Sequence, residues 1–259
     1  MYENTEIEQS ICALERALEP CSEGAPVERG IVSVHHKDTN NFASGLLLTT
    51  DGWIVIPYHL FINMFDCFHA VECSGSNDWP DTEPEWFVST GDNGYCVDPL
   101  SGWYADPAHD VAIVRGYIIQ TPRVIRYGVG DGVSVGEFVR TMRIGNAGPY
   151  DYPGVVDEVF AEPIQLQGGD WLFDAFRASA HSEPGFSGSP VVDLSSRLRG
   201  MLVAGNASTS LYTNVKYMRA AAMACAQKLR QRYGLQREPL PVEVAEMPER
   251  RYLMPVLNI

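Results

Sequence analysis

Short apolar segments separated by glycine, proline and aspartate turns follow one another from about residue 27 to residue 213. Each segment has the length and the boundaries of a strand. The segments Ser44–Leu48 and Trp53–Ile56, for example, flank the turn Thr50–Gly52, which is the pattern of a β-hairpin. The repetition predicts an all-β fold, and sandwiches or barrels of 259 residues commonly form a single fold unit.

Residues 74 to 109 are rich in Gly, Asp, Pro and Trp, and we expect long loops there with short β pieces around Trp86–Val88 and Tyr95–Val97. A second β series follows residue 120. Its expected strands are Val133–Val135, Phe138–Thr141, Gly154–Phe160, Ile164–Leu166, Trp171–Arg177, Arg199–Gly205 and Ser210–Thr213.

Helical patterns occur near both ends of the chain. In residues 5–19, four apolar residues recur every three or four positions among glutamates, which predicts an amphipathic helix packed on the body of the protein or on a partner. Residues 215–233 form the one long helical pattern, with basic residues in its last turns, where they suit the helix dipole. The segment after it contains four prolines without a clear period and is expected to be extended.

The net charge of −14 argues against a nucleic-acid partner or an anionic membrane surface. No lysine or arginine occurs between Lys37 and Arg115, although acidic residues recur there. Either this is a solvated acidic face, or it steers a basic polypeptide towards a cleft. No apolar run approaches the length of a membrane span, and the acidic, polar N-terminus is unlike a secretory signal, so we expect a cytoplasmic protein.

Six cysteines are spread thinly over the chain, unlike a disulfide scaffold, and reduced thiols are expected. Cys67, His69, Cys73 and Cys96 could be drawn as a zinc site, but their spacing lacks a paired C-x-x-C element. The sequence therefore predicts neither a metal nor a cofactor.

The segment S-E-P-G-F-S-G-S-P-V-V at residues 182–192 places Ser187 at the crest of a tight turn bracketed by Gly185 and Gly188. This turn can aim the backbone amides of Gly185 and Ser187 at one point, which is what the oxyanion of an acyl-transfer reaction needs. The apolar run that begins at Pro190 predicts a supporting strand. A serine hydroxyl is a poor nucleophile unless a base removes its proton, so the rest of the chain must supply one.

A candidate base and a candidate acid lie in the first half. His59 follows the hairpin at its apolar end, and Asp110 directly precedes the apolar strand Val111–Val114. Taken alone, the histidine could be a core or rim residue and the aspartate a turn residue. The chain order is histidine, aspartate, serine, with a strand after the serine, which differs from the α/β-hydrolase arrangement with the serine first on a strand-to-helix elbow.

Four segments together carry a family resemblance: T-D-G-W-I-V-I-P-Y-H at 50–59, H-D-V-A-I-V at 109–114, G-F-S-G-S-P at 185–190, and L-Y-T-N-V at 211–215 before a helix. They resemble the chymotrypsin-like (trypsin-fold) serine peptidases, nearest the bacterial HtrA-like and glutamyl-endopeptidase-like branches, over about residues 27–232. The resemblance implies two packed antiparallel six-stranded β-barrels, with the active site in the cleft between them.

By this resemblance Ser187 attacks the scissile carbonyl, His59 accepts and returns the proton, and Asp110 orients the imidazole. The amides of Gly185 and Ser187 form the oxyanion hole. The expected function is a serine endopeptidase that cleaves polypeptides through an acyl-enzyme. The alternative is a catalytically silent protease-fold scaffold that binds a partner.

Two departures from the family bear on control. Trypsin has an aspartate directly before the nucleophile that pairs with a newly cut N-terminus, whereas this chain has Phe186. That activation route is therefore excluded. The residues that follow the C-terminal helix are also too few for a PDZ domain, so we expect no PDZ-type control from this segment. We expect control to come from elsewhere, for example from a regulatory protein that docks on the N-terminal helix or on the C-terminal tail.

The resemblance also suggests a primary specificity pocket, with His181 near its base, Val203 and Gly205 along one wall, and Ser210 near another. Gly205 is expected to leave the entrance open. No buried acid is evident for a basic substrate residue, so an acidic or polar residue and a small-to-medium apolar residue both remain open. The acidic first half would repel an acidic substrate.

The expected division of the chain is 1–24 (N-terminal amphipathic helix), 25–120 (first barrel, with His59 and Asp110), 121–213 (second barrel, with Ser187), 214–234 (C-terminal helix) and 235–259 (extended tail).

Overall fold

The three-dimensional structure is a computed structural model that describes residues 4–37, 42–64, 86–90, 93–98, 101–145, 148–166, 171–235 and 243–245. The helices within these ranges are α1 (Asn4–Glu15), α2 (Tyr58–Ile62) and α3 (Val215–Tyr233). The strands are β1 (Ile31–His36), β2 (Phe42–Leu47), β3 (Trp53–Ile56), β4 (Trp86–Thr90), β5 (Asn93–Cys96), β6 (Tyr104–Asp106), β7 (Val111–Arg115), β8 (Phe138–Gly145), β9 (Gly148–Val159), β10 (Ile164–Gln165), β11 (Trp171–Leu172), β12 (Phe176–Ala178), β13 (Pro190–Asp193), β14 (Leu198–Gly205) and β15 (Ser210–Asn214).

The first half forms a curled antiparallel sheet of seven strands in the order β5-β4-β1-β2-β3-β7-β6. The predicted hairpin is present as β2 and β3, with Leu46 opposite Val55. Every residue of β3 and β7 is buried, so these two adjacent strands lie in the middle of the core. They are antiparallel, so β3 ends and β7 begins beside the candidate site.

The second half forms a closed six-stranded barrel in the order β12-β15-β14-β13-β8-β9. Its interior is filled by large side chains, including the cross-strand pair Phe176 and Tyr212 of the adjacent strands β12 and β15, whose rings stack 5.0 Å apart. The predicted all-β fold of two β-barrels with an N-terminal and a C-terminal helix is confirmed, with the first barrel present as the curled sheet.

Three sequence predictions of strands were wrong in detail. The segment Trp171–Arg177 is not one strand, because β11 and β12 belong to different sheets. The segment Val133–Val135 is not a strand, because glycines with positive φ at 132 and 136 bend the chain on both sides of it and Val135 is 64% exposed. Conversely, β6 lies where long loops were predicted. Its three residues are too few to show a pattern, and it is defined by pairing with β7.

Helix α1 packs on the protein's own body. Ile11 and Leu14 are fully buried in the main core, and Glu15 forms a two-point ion pair with Arg230 of α3, with N···O distances of 2.5 and 2.8 Å. The Ser10 hydroxyl accepts a hydrogen bond from the Trp53 indole at 2.8 Å. The first and last helices thus form one layer against the curled sheet. Within the described ranges, no helix has both the length and the apolar character needed to cross a bilayer.

Candidate active site

His59 lies in the first turn of α2, which begins directly after Pro57 at the end of β3. Leu60 and Phe61 are buried and anchor the short helix, while the His59 side chain stays 44% exposed. The imidazole is therefore both held by the core and open to a substrate.

Asp110 lies at the end of a 3₁₀ turn, Pro107–His109, and has a left-handed backbone conformation with φ 51° and ψ 47°. Its carboxylate is buried and binds His59 through both oxygens. Oδ2 lies 2.8 Å from the ring Nδ1, and Oδ1 accepts from the His59 backbone N–H at 2.8 Å. Because an ionised carboxylate only accepts, Nδ1 carries the proton and Nε2 is left as the basic nitrogen.

Two opposing effects act on the charge of His59. Burial of the ring opposes the cation, but the hydrogen bond and the negative charge of Asp110 together outweigh it, so the pKa of His59 is raised above its ordinary value. Since a histidine must be neutral to accept a proton, a reaction that uses His59 as a base loses rate as the pH falls through this raised pKa.

The turn before Ser187 is a type II turn over residues 183–186. The Phe186 N–H donates to the Glu183 carbonyl at 3.1 Å, Pro184 is the first central residue, and Gly185 has the positive φ of 90° that the second central position requires. Phe186 is fully buried in the interior of the second barrel and anchors the turn.

The backbone after the nucleophile joins the two halves of the fold. The Ser187 carbonyl accepts a hydrogen bond of 2.7 Å from the Ser44 N–H in β2, and the Gly188 N–H donates to the Leu202 carbonyl in β14 at 2.8 Å. A Cβ atom on Gly188 would lie 1.7 Å from the Ser44 carbonyl oxygen and 3.0 Å from Pro57. The serine turn of the second barrel is thus in contact with the segment of the first sheet that carries His59.

The amides predicted for an oxyanion hole are available. Within the described residues, neither the Gly185 N–H nor the Ser187 N–H donates to a protein acceptor. The Ser187 hydroxyl donates to the Val203 carbonyl at 3.5 Å, the upper limit for a hydrogen bond, and forms none with His59 among these residues. The structure therefore pairs His59 with Asp110 and places the serine turn against Pro57, two residues before His59, without a hydrogen bond between the Ser187 hydroxyl and the imidazole among the described residues.

Solved structures that match this architecture include three proteases. The MamO protease domain from Magnetospirillum magneticum matches with a TM-score of 0.54 and 18% identity, over 76% of this chain and 97% of that one. The Rv3671c protease from M. tuberculosis, in its active form, matches with a TM-score of 0.55 and 15% identity, over 88% and 94%. The HtrA-type protease AlgW with a tripeptide matches with a TM-score of 0.57 and 14% identity, over 84% and 64%.

The chain has the trypsin-like serine protease fold. The structural neighbours are HtrA-type proteases of this fold, as the sequence resemblance predicted. At 14–18% identity the likeness concerns the fold alone. No protein-family model matches the sequence, and comparison with curated protein sequences gave no match either.

The side chains predicted for the primary pocket contact neighbouring groups of the second barrel. His181 is partly exposed and binds Glu183 through Nε2 at 2.8 Å and the Ala207 carbonyl through Nδ1 at 3.1 Å. The Ser210 hydroxyl is buried and donates to the Ala180 carbonyl at 2.9 Å. The Val203 side chain is buried in a small apolar cluster.

Gly205 is exposed, and the open entrance expected there stays a prediction. A Cβ atom on Gly205 would lie 2.2 Å from the Ser182 hydroxyl oxygen, so a larger residue would collide with Ser182. The Ser182 N–H also donates to the Asn206 carbonyl at 3.0 Å, which holds the two segments together.

A cavity of about 180 Å³ opens instead beside the imidazole. His59 and the turn residues Pro107 and Ala108 form one side, and apolar side chains from the β10–β11 region form the other (Leu166, Trp171 and Leu172). Sequence reasoning missed this cavity because Trp171–Arg177 reads as one strand of the second barrel. The structure instead places β11 in a separate hairpin with β10, where Trp171 is 52% exposed.

The possible zinc ligands give no site in the described part of the chain. No three His, Cys, Asp or Glu side chains converge there. Cys67, His69 and Cys73 lie outside the described residues, and Cys96 is a free thiol in β5.

Proposed function

We propose that this chain is a serine endopeptidase that uses Ser187, His59 and Asp110 as its catalytic triad. The observation that carries the proposal is the pairing of His59 with Asp110 through both carboxylate oxygens, with Nε2 left free on the side open to solvent. This is the arrangement that a general base for a serine nucleophile requires.

In the proposed reaction, the Ser187 hydroxyl rotates from Val203 towards Nε2 of His59 and transfers its proton there as Oγ attacks the scissile carbonyl carbon. The amides of Gly185 and Ser187 bind the oxyanion of the tetrahedral intermediate. Its collapse breaks the C–N bond, and His59 returns the proton to the leaving amine, which leaves an acyl-enzyme on Ser187. A water molecule, deprotonated by His59, then attacks the ester carbonyl, the C–O bond to Ser187 breaks, and His59 returns the proton to Ser187 Oγ as the carboxylic acid leaves.

We propose polypeptides with apolar side chains near the scissile bond as the substrate class. The cavity beside His59 has apolar walls and the volume to receive one side chain. The contact between Ser182 and Gly205 favours a small-to-medium residue at the scissile position. An acidic residue there has less support, because the imidazole of His181 already binds the carboxylate of Glu183.

A catalytically silent scaffold is the second candidate. One observation favours it: the Ser187 hydroxyl is oriented towards Val203 and not towards His59. The two candidates differ in whether Ser187 can act as a nucleophile at all.

A fluorophosphonate probe separates them. We expect covalent labelling of the purified chain, with the adduct located on Ser187 by mass spectrometry and lost in His59→Ala, because only an activated serine reacts. Absence of labelling, both alone and with an added apolar peptide, would refute the endopeptidase and support the scaffold.

Control by a regulatory protein remains a further proposal. Helix α1 is occupied by contacts with the body, and residues 243–245 pair with Val124 in the segment between the barrels. A docking partner would therefore act most simply by displacing the C-terminal segment. Deletion of residues 240–259 is expected to change the labelling rate, and an unchanged rate would contradict this form of control.

A further inference from the structure

A stacked histidine–tyrosine pair lies directly behind the turn that carries Asp110. The rings of His109 and Tyr217 are 3.6 Å apart between centroids and inclined by only 12°. Neither residue touches the cleft atoms named in the proposed reaction. His109 contacts Asp106, before the turn that ends at Asp110, and Tyr217 contacts Asp174, in the segment after β11.

His109 braces the 3₁₀ turn that ends at Asp110. Its Nδ1 lies 2.7 Å from Asp106 Oδ2, across the three residues of the turn. The backbone bond that closes the turn, from the Asp110 N–H to the Pro107 carbonyl, is long at 3.4 Å. The side-chain bond therefore supplies much of the restraint that the backbone bond does not.

Tyr217 connects this turn to the opposite side of the cavity. It lies in the first turn of α3, which is capped by the Asn214 side chain, and its hydroxyl donates to Asp174 Oδ2. The Lys216 ammonium lies 4.6 Å from the centre of the same ring. Nearby, the Phe173 N–H donates to the Ala108 carbonyl at 2.9 Å, so the segment around Asp174 is joined to the Asp110 turn twice.

Backbone conformation points to the same group of residues. Four non-glycine residues in the described structure have positive φ, and two of them, Asp110 at 51° and Asp174 at 50°, lie at the two ends of this network. Such conformations are unfavourable and persist only where surrounding contacts hold them, which is why they concentrate at functional sites.

We propose that His109 and Tyr217 are positioning residues that hold Asp110 in its left-handed conformation and thereby orient the imidazole of His59. The proposal rests on the proposed peptidase function for its consequence in catalysis. The predicted effect on the contact between Asp110 and His59 does not depend on whether the chain is a peptidase. The charged groups that face this pair are Asp106, Asp174 and Lys216.

Two substitutions at Tyr217 separate its two contacts. Tyr217→Phe keeps the ring on His109 and removes the bond to Asp174, so we expect KM for an apolar peptide to rise about threefold, with kcat nearly unchanged. Tyr217→Leu removes the ring as well, so we expect kcat to fall about 10- to 100-fold. A weaker contact with Asp110 should also lower the pKa of His59, because burial of the ring is then less opposed. The acidic limb of kcat/KM should therefore shift to lower pH.

The matched control is Tyr233→Leu, an exposed tyrosine in the last turn of the same helix, which should leave KM, kcat and the pH profile unchanged. His109→Leu should reproduce the shift of the acidic limb seen with Tyr217→Leu. An acidic limb that stays at the wild-type pH in both Tyr217→Leu and His109→Leu would overturn the proposal.

Nitrogen NMR of the His59 ring keeps this test independent of the proposed function. If the wild-type chain does not react with a fluorophosphonate, the peptidase proposal has failed, but the titration of His59 can still be followed. A lower titration pH in Tyr217→Leu than in wild type and Tyr217→Phe supports the positioning role, and identical titrations in all three refute it.

Discussion

Replacing Ser187 by alanine is expected to lower kcat for hydrolysis of an apolar peptide ester by about 10⁴- to 10⁶-fold, because no covalent intermediate can form. The mutation removes one hydroxyl whose recorded hydrogen bond is the weak one to Val203, so the fold should be unaffected. The rate is measured with a chromogenic ester under single-turnover conditions, and thermal unfolding verifies the fold.

Ser189→Ala is the matched control for this prediction. Ser189 lies two residues away in the same segment, is fully buried, and contacts the Ser44 hydroxyl at 3.4 Å. This variant should keep most of the activity, because its hydroxyl faces the core. If Ser187→Ala and Ser189→Ala retained similar rates, the nucleophile would be a different residue.

Replacing Gly188 by alanine is expected to reduce the free energy of unfolding by about 3–5 kcal/mol and to abolish esterase activity. The added Cβ would lie 1.7 Å from the Ser44 carbonyl oxygen, a backbone atom that cannot move without separating β2 from the serine turn. The positive φ of 85° adds backbone strain. Urea unfolding and the ester assay measure the two effects.

Gly136→Ala is the control that separates the steric collision with Ser44 from the backbone strain of a positive φ. Gly136 has nearly the same φ, 88°, but no atom lies within 4 Å of an added Cβ. We expect a loss of about 1–2 kcal/mol and normal activity. Equal losses of stability in Gly188→Ala and Gly136→Ala would show that the collision with the Ser44 carbonyl does not contribute to the destabilisation.

The residues of the candidate triad could be identified from the sequence because short local patterns encode them. His59 follows a hairpin, Asp110 precedes an apolar strand, and Ser187 lies between two glycines, so each is marked by its immediate neighbours. The structure added the contacts between them, such as the bond from Asp110 to the His59 amide, which joins residues 51 positions apart.

The specificity region could not be predicted in the same way, because its shape depends on pairs of segments that are distant in sequence. Ser182 lies against Gly205 and donates its N–H to the Asn206 carbonyl, a contact between segments more than 20 residues apart. The cavity beside His59 combines the turn at Pro107 with Trp171. No local pattern indicates that these segments meet.

The hydrogen bond between Ser44 and the Ser187 carbonyl has a consequence for the order of events during synthesis. The sheet that holds His59 and Asp110 ends at Arg115, so it can be translated completely before the serine turn exists. In the proposed mechanism the first half supplies the base and the second barrel supplies the nucleophile. Under that proposal the chain cannot be active until the second barrel has formed and docked on the first sheet.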